Sequence, residues 1–168
     1  MKKLSIILLS IFIIFSAIFC AAFKSDNDKT FIKGNVVYIY DGDTVKLKTN
    51  DSMEYKIRLS GIDAPEYDQK YGKDSKEYLD SLVSGKFICI KVLGTDKYNR
   101  ILATIFYNDE DINYKMIKAG YAWHYKYYDN NREYEAAETE AKSKKIGLWQ
   151  DNSPIAPWDY RHKKKNSH

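Results

Sequence analysis

The sequence predicts a mainly β, α+β fold: one small closed barrel of five strands with three helices, preceded by an N-terminal signal or anchor segment. Five segments have the alternating or β-branched composition of short strands, in a three-plus-two arrangement. Helical patterns follow the third and the fifth of these strands. The 168 residues suffice for a single apolar core, and no internal repeat or long linker divides them.

The chain begins with a pattern typical of a bacterial export signal, assigned to residues 1–22. Two lysines precede an uncharged, apolar run from Leu4 to Phe23, and small residues favour cleavage after Ala22. The run is 20 residues long, which also suffices to cross a bilayer, so an uncleaved membrane anchor through residues 4–23 stays open. We therefore expect a secreted protein, or one on the outer face of the cytoplasmic membrane if the segment is not cleaved.

A three-stranded meander is predicted after a short polar linker at residues 23–30. Its strands are rich in Val, Ile and Tyr or alternate between apolar and polar residues. Turn residues at 41–43 and 49–52 separate them. The predicted strands are Phe31–Tyr40, Thr44–Lys48 and Met53–Leu59.

An irregular segment around Pro65 separates the meander from the first helix, because proline cannot donate to a strand ladder. Asp74 and Glu77 have the spacing of a capping box, and Gly85 marks the end of this helix. Two further strands are predicted at Lys86–Leu93 and Ile101–Tyr107, and two further helices at Ile112–Ala119 and Asn131–Lys145. This order is that of an OB-fold, a Greek-key barrel that often binds nucleic acid or sugar, and we assign it residues 31–150.

Charge alone does not identify a partner. Beyond residues 1–22 the chain has 25 basic and 23 acidic side chains, an excess too small to require a nucleic acid. Residues 151–168 form a basic tail, for which solvated charges are favoured over a phosphate-binding role. Cys89 is the one cysteine outside the N-terminal segment, and we expect it to be a small core residue.

Several residues have the chemistry that phosphodiester hydrolysis needs: a base for water, positive charge near the phosphoryl oxygens and carboxylates for a hard cation. They are Asp41 and Asp43 at a turn, Arg58 at the end of strand three, Asp63 and Glu66 around Pro65, and Arg100 before strand five. Individually each has an ordinary interpretation as a turn residue, surface acid or ion-pair partner. Hairpin geometry does not bring Asp43 to Asp63, so barrel closure would have to do so.

Four ordered motifs carry a resemblance to a known family. They are Asp41-Gly42-Asp43-Thr44-Val45, Ile57-Arg58-Leu59, Ile62-Asp63-Ala64-Pro65-Glu66 and Thr95-Asp96-Lys97-Tyr98-Asn99-Arg100. With Gly147-Leu148-Trp149 beyond them, the chain resembles the staphylococcal nuclease (thermonuclease) family over about residues 33–150.

The resemblance implies a calcium-dependent nuclease that cleaves DNA and RNA with little sequence specificity and leaves 3′-phosphates. It implies Ca²⁺ ligands from the carboxylates of Asp43 and Asp63 and the backbone carbonyl of Ala64, where the family's reference member has threonine. It also implies the catalytic residues, with Glu66 as general base and Arg58 and Arg100 as the groups that stabilise the transition state. We expect a monomer that prefers single-stranded substrates.

Substrate contacts are implied for Lys97 and Tyr98, which match family positions near the phosphate. Asn99 replaces the more usual glycine, and asparagine tolerates a left-handed turn. In the aromatic segment 121–128, Tyr125 and Tyr128 are the candidates for base contacts, with packing against the third helix as the alternative. His124 lacks a second His or Cys at ligand spacing, so a structural role is favoured.

Overall fold

The computed structural model describes residues 31–167, so the predictions for the signal or anchor segment and the linker lie outside the described residues. Within this range none of the helices has both the length and the apolar character that a bilayer crossing requires. The strands are β1 Phe31–Asp41, β2 Thr44–Lys48, β3 Glu54–Leu59, β4 Ile62–Asp63, β5 Phe87–Thr95, β6 Ile101–Tyr107, β7 Glu110–Asp111 and β8 Trp123–His124. The helices are α1 Gly72–Val83, α2 Ile112–Lys118, α3 Arg132–Ser143 and α4 Pro157–Asn166, with a 3-10 turn at Gly147–Gln150.

The five longer strands form the closed barrel that the sequence predicts. Antiparallel pairing joins β1 to β2, β2 to β3 and β5 to β6, and β5 lies beside β1. A parallel pairing of β3 with β6, with Leu59 opposite Ala103, closes the sheet on itself. Closure buries one face of every strand, and the core side chains Val45, Ile57 and Leu59 are fully buried.

A buried asparagine ties the end of β3 to β6 and α2. The Asn113 side chain donates from Nδ2 to the carbonyl of Ser60 at 2.9 Å and to that of Ala103 at 3.1 Å. Its Oδ1 accepts from the Ile105 amide at 3.1 Å. Because every polar group of this buried side chain has a partner, it holds in place the point where the chain leaves β3 for the candidate site.

The first helix starts earlier than predicted, so the capping-box prediction is wrong. Helix α1 begins at Gly72, and its N-cap Tyr71 has φ 67° with no side-chain cap, whereas Asp74 lies within the first turn. A tight turn sets this start: Gly72 donates to the Gln69 carbonyl at 2.9 Å. A Cβ on Gly72 would lie 1.9 Å from the Glu66 carbonyl oxygen, so a larger residue does not fit.

The last two helices differ in how well the sequence predicted them. Helix α3 begins as predicted, with the Asn131 side chain accepting from the Glu133 amide at 2.9 Å. Helix α4 raises the number of helices in residues 31–167 to four, where three were predicted. Its residues were interpreted as a solvated basic tail, but Pro157 starts a helix and Trp158 stacks on Tyr125 at 5.2 Å between ring centroids.

Candidate functional site

Barrel closure brings the 41–43 turn against the segment that follows β3. Arg58 on β3 bridges two acids, with Nε 3.0 Å from Oδ1 of Asp43 and Nη2 2.8 Å from Oδ1 of Asp63. Both carboxylates are buried, Asp43 at 6% exposure and Asp63 at 1%. Arg58 also donates from Nη1 to the carbonyls of Leu59 and Ile62, which fixes the plane of its guanidinium.

The Asp-Gly-Asp turn fits closely under the Ala64 segment. The Ala64 amide donates to Oδ2 of Asp43 at 2.9 Å, which ties together residues 21 apart in sequence. A Cβ on Gly42 would lie 1.9 Å from Oγ of Ser75 and 2.8 Å from Cβ of Ala64. Glycine is therefore required at this position for α1 and the Ala64 segment to pack on the turn.

Glu66 lies at the solvent-facing side of this cluster. Its side chain is 38% exposed. Its backbone is held by Gln69, whose Oε1 accepts from the Glu66 amide at 3.1 Å and whose amide donates to the Glu66 carbonyl at 2.8 Å. The carboxylate is thus reachable by a water molecule while its backbone is fixed.

Arg161 on α4 is a site residue that the sequence prediction did not include. Its Nη2 lies 2.8 Å from Oδ2 of Asp63, and its Nη1 contacts Oδ1 of Asp63 at 3.2 Å and Oε1 of Glu66 at 2.8 Å. Helix α4 is held there by the Trp158 stack and by the Gln69 side chain, which donates to the Ile155 carbonyl at 2.7 Å. The available signal was Pro157, a residue that favours the first turn of a helix, followed by an aromatic anchor.

The site holds an excess of negative charge, and two of its carboxylates are buried. Burial and the neighbouring Asp43 carboxylate raise the pKa of Asp41 to about 7. Burial also raises the pKa of Asp63, against the lowering effect of Arg161 and Arg58. Although burial alone would lower it, Asp63 and Glu66 raise the pKa of Arg161 above its ordinary value. Two guanidinium groups therefore compensate only part of the charge of a cluster of four acids.

The donor set at this site fits a hard cation. The carboxylates of Asp43 and Asp63 offer oxygen atoms only, which is the preference of Ca²⁺, and the family resemblance adds the Ala64 carbonyl to them. Within residues 31–167, no three His, Cys, Asp or Glu side chains already converge as a metal-binding group. Two carboxylates with a backbone carbonyl, rather than a complete side-chain cage, would thus have to hold the ion.

Arg100 lies at the neighbouring strand end and is not in contact with the carboxylate cluster. Its Nε donates to Oδ2 of Asp96 at 2.7 Å, and Oδ1 of Asp96 accepts the amides of Tyr98 and Arg100 at 2.9 Å each. The parallel pairing of Ile101 with Ile57 places Arg100 beside the strand that carries Arg58. Asn99 has φ 62°, the left-handed conformation expected of it.

The predicted substrate residues fall into two groups. At the turn before β6, Tyr98 is 69% exposed, and Nζ of Lys97 lies 5.1 Å from its ring centroid. In the aromatic segment, Tyr128 is 72% exposed, whereas Tyr125 is half-buried and has Trp158 stacked on one face. Packing of Tyr125 thus involves α4 rather than the third helix, and Tyr128 keeps the more open ring.

His124 is a structural residue in this arrangement. It is 3% exposed, and its Nε2 lies 2.8 Å from Oδ2 of Asp129. Its amide donates to Oε1 of the buried Glu138 at 3.1 Å, which joins β8 to α3. Because β8 pairs with β4, with Trp123 opposite Asp63, these contacts help to hold the strand that carries Asp63.

Comparison with known proteins identifies relatives of this chain. The family model described as staphylococcal nuclease homologue matches residues 56–151. An uncharacterized endonuclease of Haemophilus influenzae is 43% identical over 130 residues, which cover 77% of this chain and 73% of that protein. An uncharacterized endonuclease of Escherichia coli is 39% identical over 134 residues, covering 79% of this chain and 87% of that protein. Staphylococcal-like nuclease CAN1 of Arabidopsis thaliana is 39% identical over 112 residues, covering 67% of this chain and 35% of that protein.

Proposed function

The chain belongs to the staphylococcal nuclease family and is a nuclease, and on this premise we propose a calcium-dependent endonuclease that hydrolyses DNA and RNA with little sequence specificity. By resemblance to the family, cleavage leaves 3′-phosphates. The observation that carries the proposal is the arrangement of Asp43, Arg58 and Asp63 in direct contact, with the accessible carboxylate of Glu66 beside them.

Asp43, Asp63 and the Ala64 carbonyl would hold Ca²⁺. Bound there, the cation would polarise a phosphoryl oxygen and reduce the charge that develops on it. Burial, followed by the neighbouring Asp43 carboxylate, raises the pKa of Asp41 to about 7, and a cation bound here would reduce the repulsion between these two acids. Asp41 accepts from the Asp43 amide at 3.0 Å and thereby shapes the turn that presents Asp43.

Glu66 would take a proton from the attacking water, because its side chain is 38% exposed whereas Asp43 and Asp63 are buried. Arg161 donates to the Glu66 carboxylate from Nη1 and to Asp63 from both Nη atoms. It therefore fixes the position of the proposed base, Glu66, relative to the proposed cation ligand, Asp63. The water oxygen then bonds to phosphorus as the bond from phosphorus to the 5′ oxygen breaks, which yields the 3′-phosphate and a 5′ oxygen that takes a proton from solvent.

Arg58 and Arg100 would neutralise the equatorial oxygens of the phosphoryl group. A guanidinium carries five N–H donors in a planar fork that matches phosphate. Within residues 31–167, the one side-chain hydrogen bond that Arg100 donates to protein is from Nε to Asp96, and its guanidinium carbon lies 5.6 Å from the Tyr98 ring centroid. Its two Nη groups are therefore available to substrate.

Lys97, Tyr98, Tyr125 and Tyr128 would bind the nucleotides next to the scissile phosphate. Exposed rings stack on bases without reading their sequence, which requires that the bases be unpaired. A preference for single-stranded substrate follows from this, and a monomer provides every group named here. The open ring of Tyr128 makes it the stronger candidate of the two in the aromatic segment.

One experiment tests the proposal directly. The purified protein is incubated with single-stranded DNA and with RNA, in Ca²⁺ and in chelator, beside a Glu66→Gln control. We expect cleavage of both substrates in Ca²⁺ only, with 3′-phosphate ends and strong loss in the control. Cleavage that is indifferent to chelator would refute the calcium assignment, and binding without cleavage in either condition would indicate a nucleic-acid-binding barrel without catalysis.

We also propose export, supported by the two lysines and the apolar run from Leu4 to Phe23. Cell fractionation with N-terminal sequencing of the recovered protein tests it. A mature N-terminus after Ala22 in the medium is expected for a cleaved signal, and an intact chain in the membrane fraction for an anchor. Recovery of the intact chain in the cytosol would contradict both forms of the proposal.

A further inference from the structure

A second basic and aromatic surface lies beside the candidate site, and we call it the Tyr38 surface. Its members are joined by a continuous series of contacts between rings and ammonium groups. Nζ of Lys56 lies 4.0 Å from the Tyr40 ring centroid, and the Tyr40 and Tyr38 rings meet edge to face at 4.9 Å. Nζ of Lys76 lies 5.6 Å from the Tyr38 ring and 5.5 Å from the Tyr67 ring. The members are Tyr38, Tyr40, Lys56, Tyr67, Lys73 and Lys76.

The rings of this surface are open and its lysines are uncommitted. Tyr38 is 53% exposed and Tyr67 is 54% exposed. Within residues 31–167, none of Lys56, Lys73 and Lys76 forms an ion pair with a carboxylate. The ammonium groups can therefore leave the rings for another anion without breaking a salt bridge.

A β-bulge explains why Tyr38 faces outward. The pairing of β1 with β2 is irregular between Val36 and Tyr38, so Val37 and Tyr38 are consecutive exposed residues. Tyr38 and Tyr40 then share the outer face of β1 and line a shallow hollow of about 530 Å³ together with Val37 and the paired Lys46 and Glu54. A second hollow of about 250 Å³ on α1 is lined by Tyr67, Lys73 and Lys76 together with the acids Glu77 and Asp80.

The strand order places this surface on one side of the catalytic centre. Arg58 lies on β3, with β2 and β1 on one side and β6 on the other. Lys56 precedes Arg58 by two residues and shares its face of the strand, and Tyr67 directly follows Glu66. Tyr98 lies before β6, so the proposed centre has exposed tyrosines and basic groups on both sides.

We propose that the Tyr38 surface binds the single-stranded nucleic acid substrate on the side of the scissile phosphate opposite the Lys97–Tyr98 turn. This rests on the proposed function, because an endonuclease must hold nucleotides on both sides of the bond that it cleaves. The tyrosines stack on bases and the lysines contact phosphates, a combination that tolerates any base sequence. The three unpaired lysines outnumber the neighbouring acids Glu77 and Asp80 and complement the charge of a phosphate backbone, which commits the surface to this occupant.

Binding is measured first, by fluorescence anisotropy of a labelled oligothymidylate of about 12 nucleotides, a length within the range of one barrel. The full chain is used with chelator present, so that no cleavage occurs. Tyr38→Ala should weaken binding about tenfold, the loss expected for one stacked base. Lys76→Ala should reduce the dependence of log K on log salt by about 0.7, the value for one phosphate contact on a single strand. Lys91→Ala is the matched control, since Lys91 is exposed on β5 and lies outside this surface.

A cleavage assay then distinguishes a role of this surface in binding from a role in the catalytic centre. We compare kcat/KM for the same oligonucleotide with that for a dinucleotide, which is too short to reach both sides. Tyr38→Ala should lower the ratio of the two values about tenfold, and Lys91→Ala should keep it. Unchanged affinity, or an equal loss on both substrates, would overturn the inference. Failure of the unaltered protein to cleave would refute the proposed function instead, and the anisotropy data would still decide whether this surface binds the strand.

Discussion

Arg161→Ala tests whether helix α4 is part of the catalytic centre. The substitution removes the hydrogen bonds from Nη2 and Nη1 to Asp63, at 2.8 and 3.2 Å, and the bond from Nη1 to Glu66, at 2.8 Å. Breaking a buried pair costs about 3–5 kcal/mol when one charge is left without a partner. Here Asp63 keeps Arg58, and the Arg161 side chain is 43% exposed, so solvent screening reduces the effect.

We therefore expect a loss of about 1–2 kcal/mol in the free energy of unfolding, measured in urea with chelator. The rate should respond more strongly, with kcat reduced at least about tenfold, because Glu66 loses the group that orients it. Lys164→Ala is the control: Lys164 lies on the same helix and pairs with the exposed Asp68. Its stability should stay within about 0.5 kcal/mol of the unaltered protein.

A double-mutant cycle with Glu66→Gln shows whether Arg161 acts through Glu66. If it does, Arg161→Ala should cause little further loss of kcat once Glu66 has been replaced. Independent, multiplicative losses would refute this positioning role. So would an Arg161→Ala protein with the kcat and stability of the Lys164→Ala control.

Three further predictions follow from the site. Glu66→Gln and Arg100→Ala should each lower the cleavage rate by several orders of magnitude with little change in Tm, and a near-normal rate would refute the assigned role. The pKa of Asp41 rises from 3.8 to about 7 on folding. Between pH 3.8 and about pH 7 the metal-free folded protein therefore binds more protons than the unfolded chain, and its free energy of unfolding falls as the pH rises. Asp41→Asn should therefore stabilise the metal-free protein at pH 8, by at most about 4 kcal/mol, and not at pH 4, as urea unfolding at both values would show. Gly42→Ala should lower the free energy of unfolding by about 1–3 kcal/mol, because its Cβ would lie 1.9 Å from Oγ of Ser75; an unchanged urea midpoint would contradict the observed packing.

The sequence predicted those features of the fold that depend on a side chain and the backbone next to it. The Asn131 cap and the left-handed Asn99 follow from side chains that act on their own backbone, and both predictions are confirmed. The start of α1 was predicted wrongly because the Asp74 signal competes with a tight turn closed by Gly72 against Glu66. Helix α4 was missed because the Trp158 packing that holds it involves residues far away in sequence.

By itself the sequence determined the five strands, the barrel class and the ordered motifs that identify the family, since alternation, turn residues and motif spacing all lie within short stretches. Only the tertiary structure decided how the acids meet. The parallel pairing of β3 with β6 closes the barrel and brings Asp43 against Ala64, and α4 returns Arg161 to Glu66 across 95 residues. Such contacts depend on closure and long-range packing, in which each pairing is stable only when the others are formed, and no local pattern encodes them.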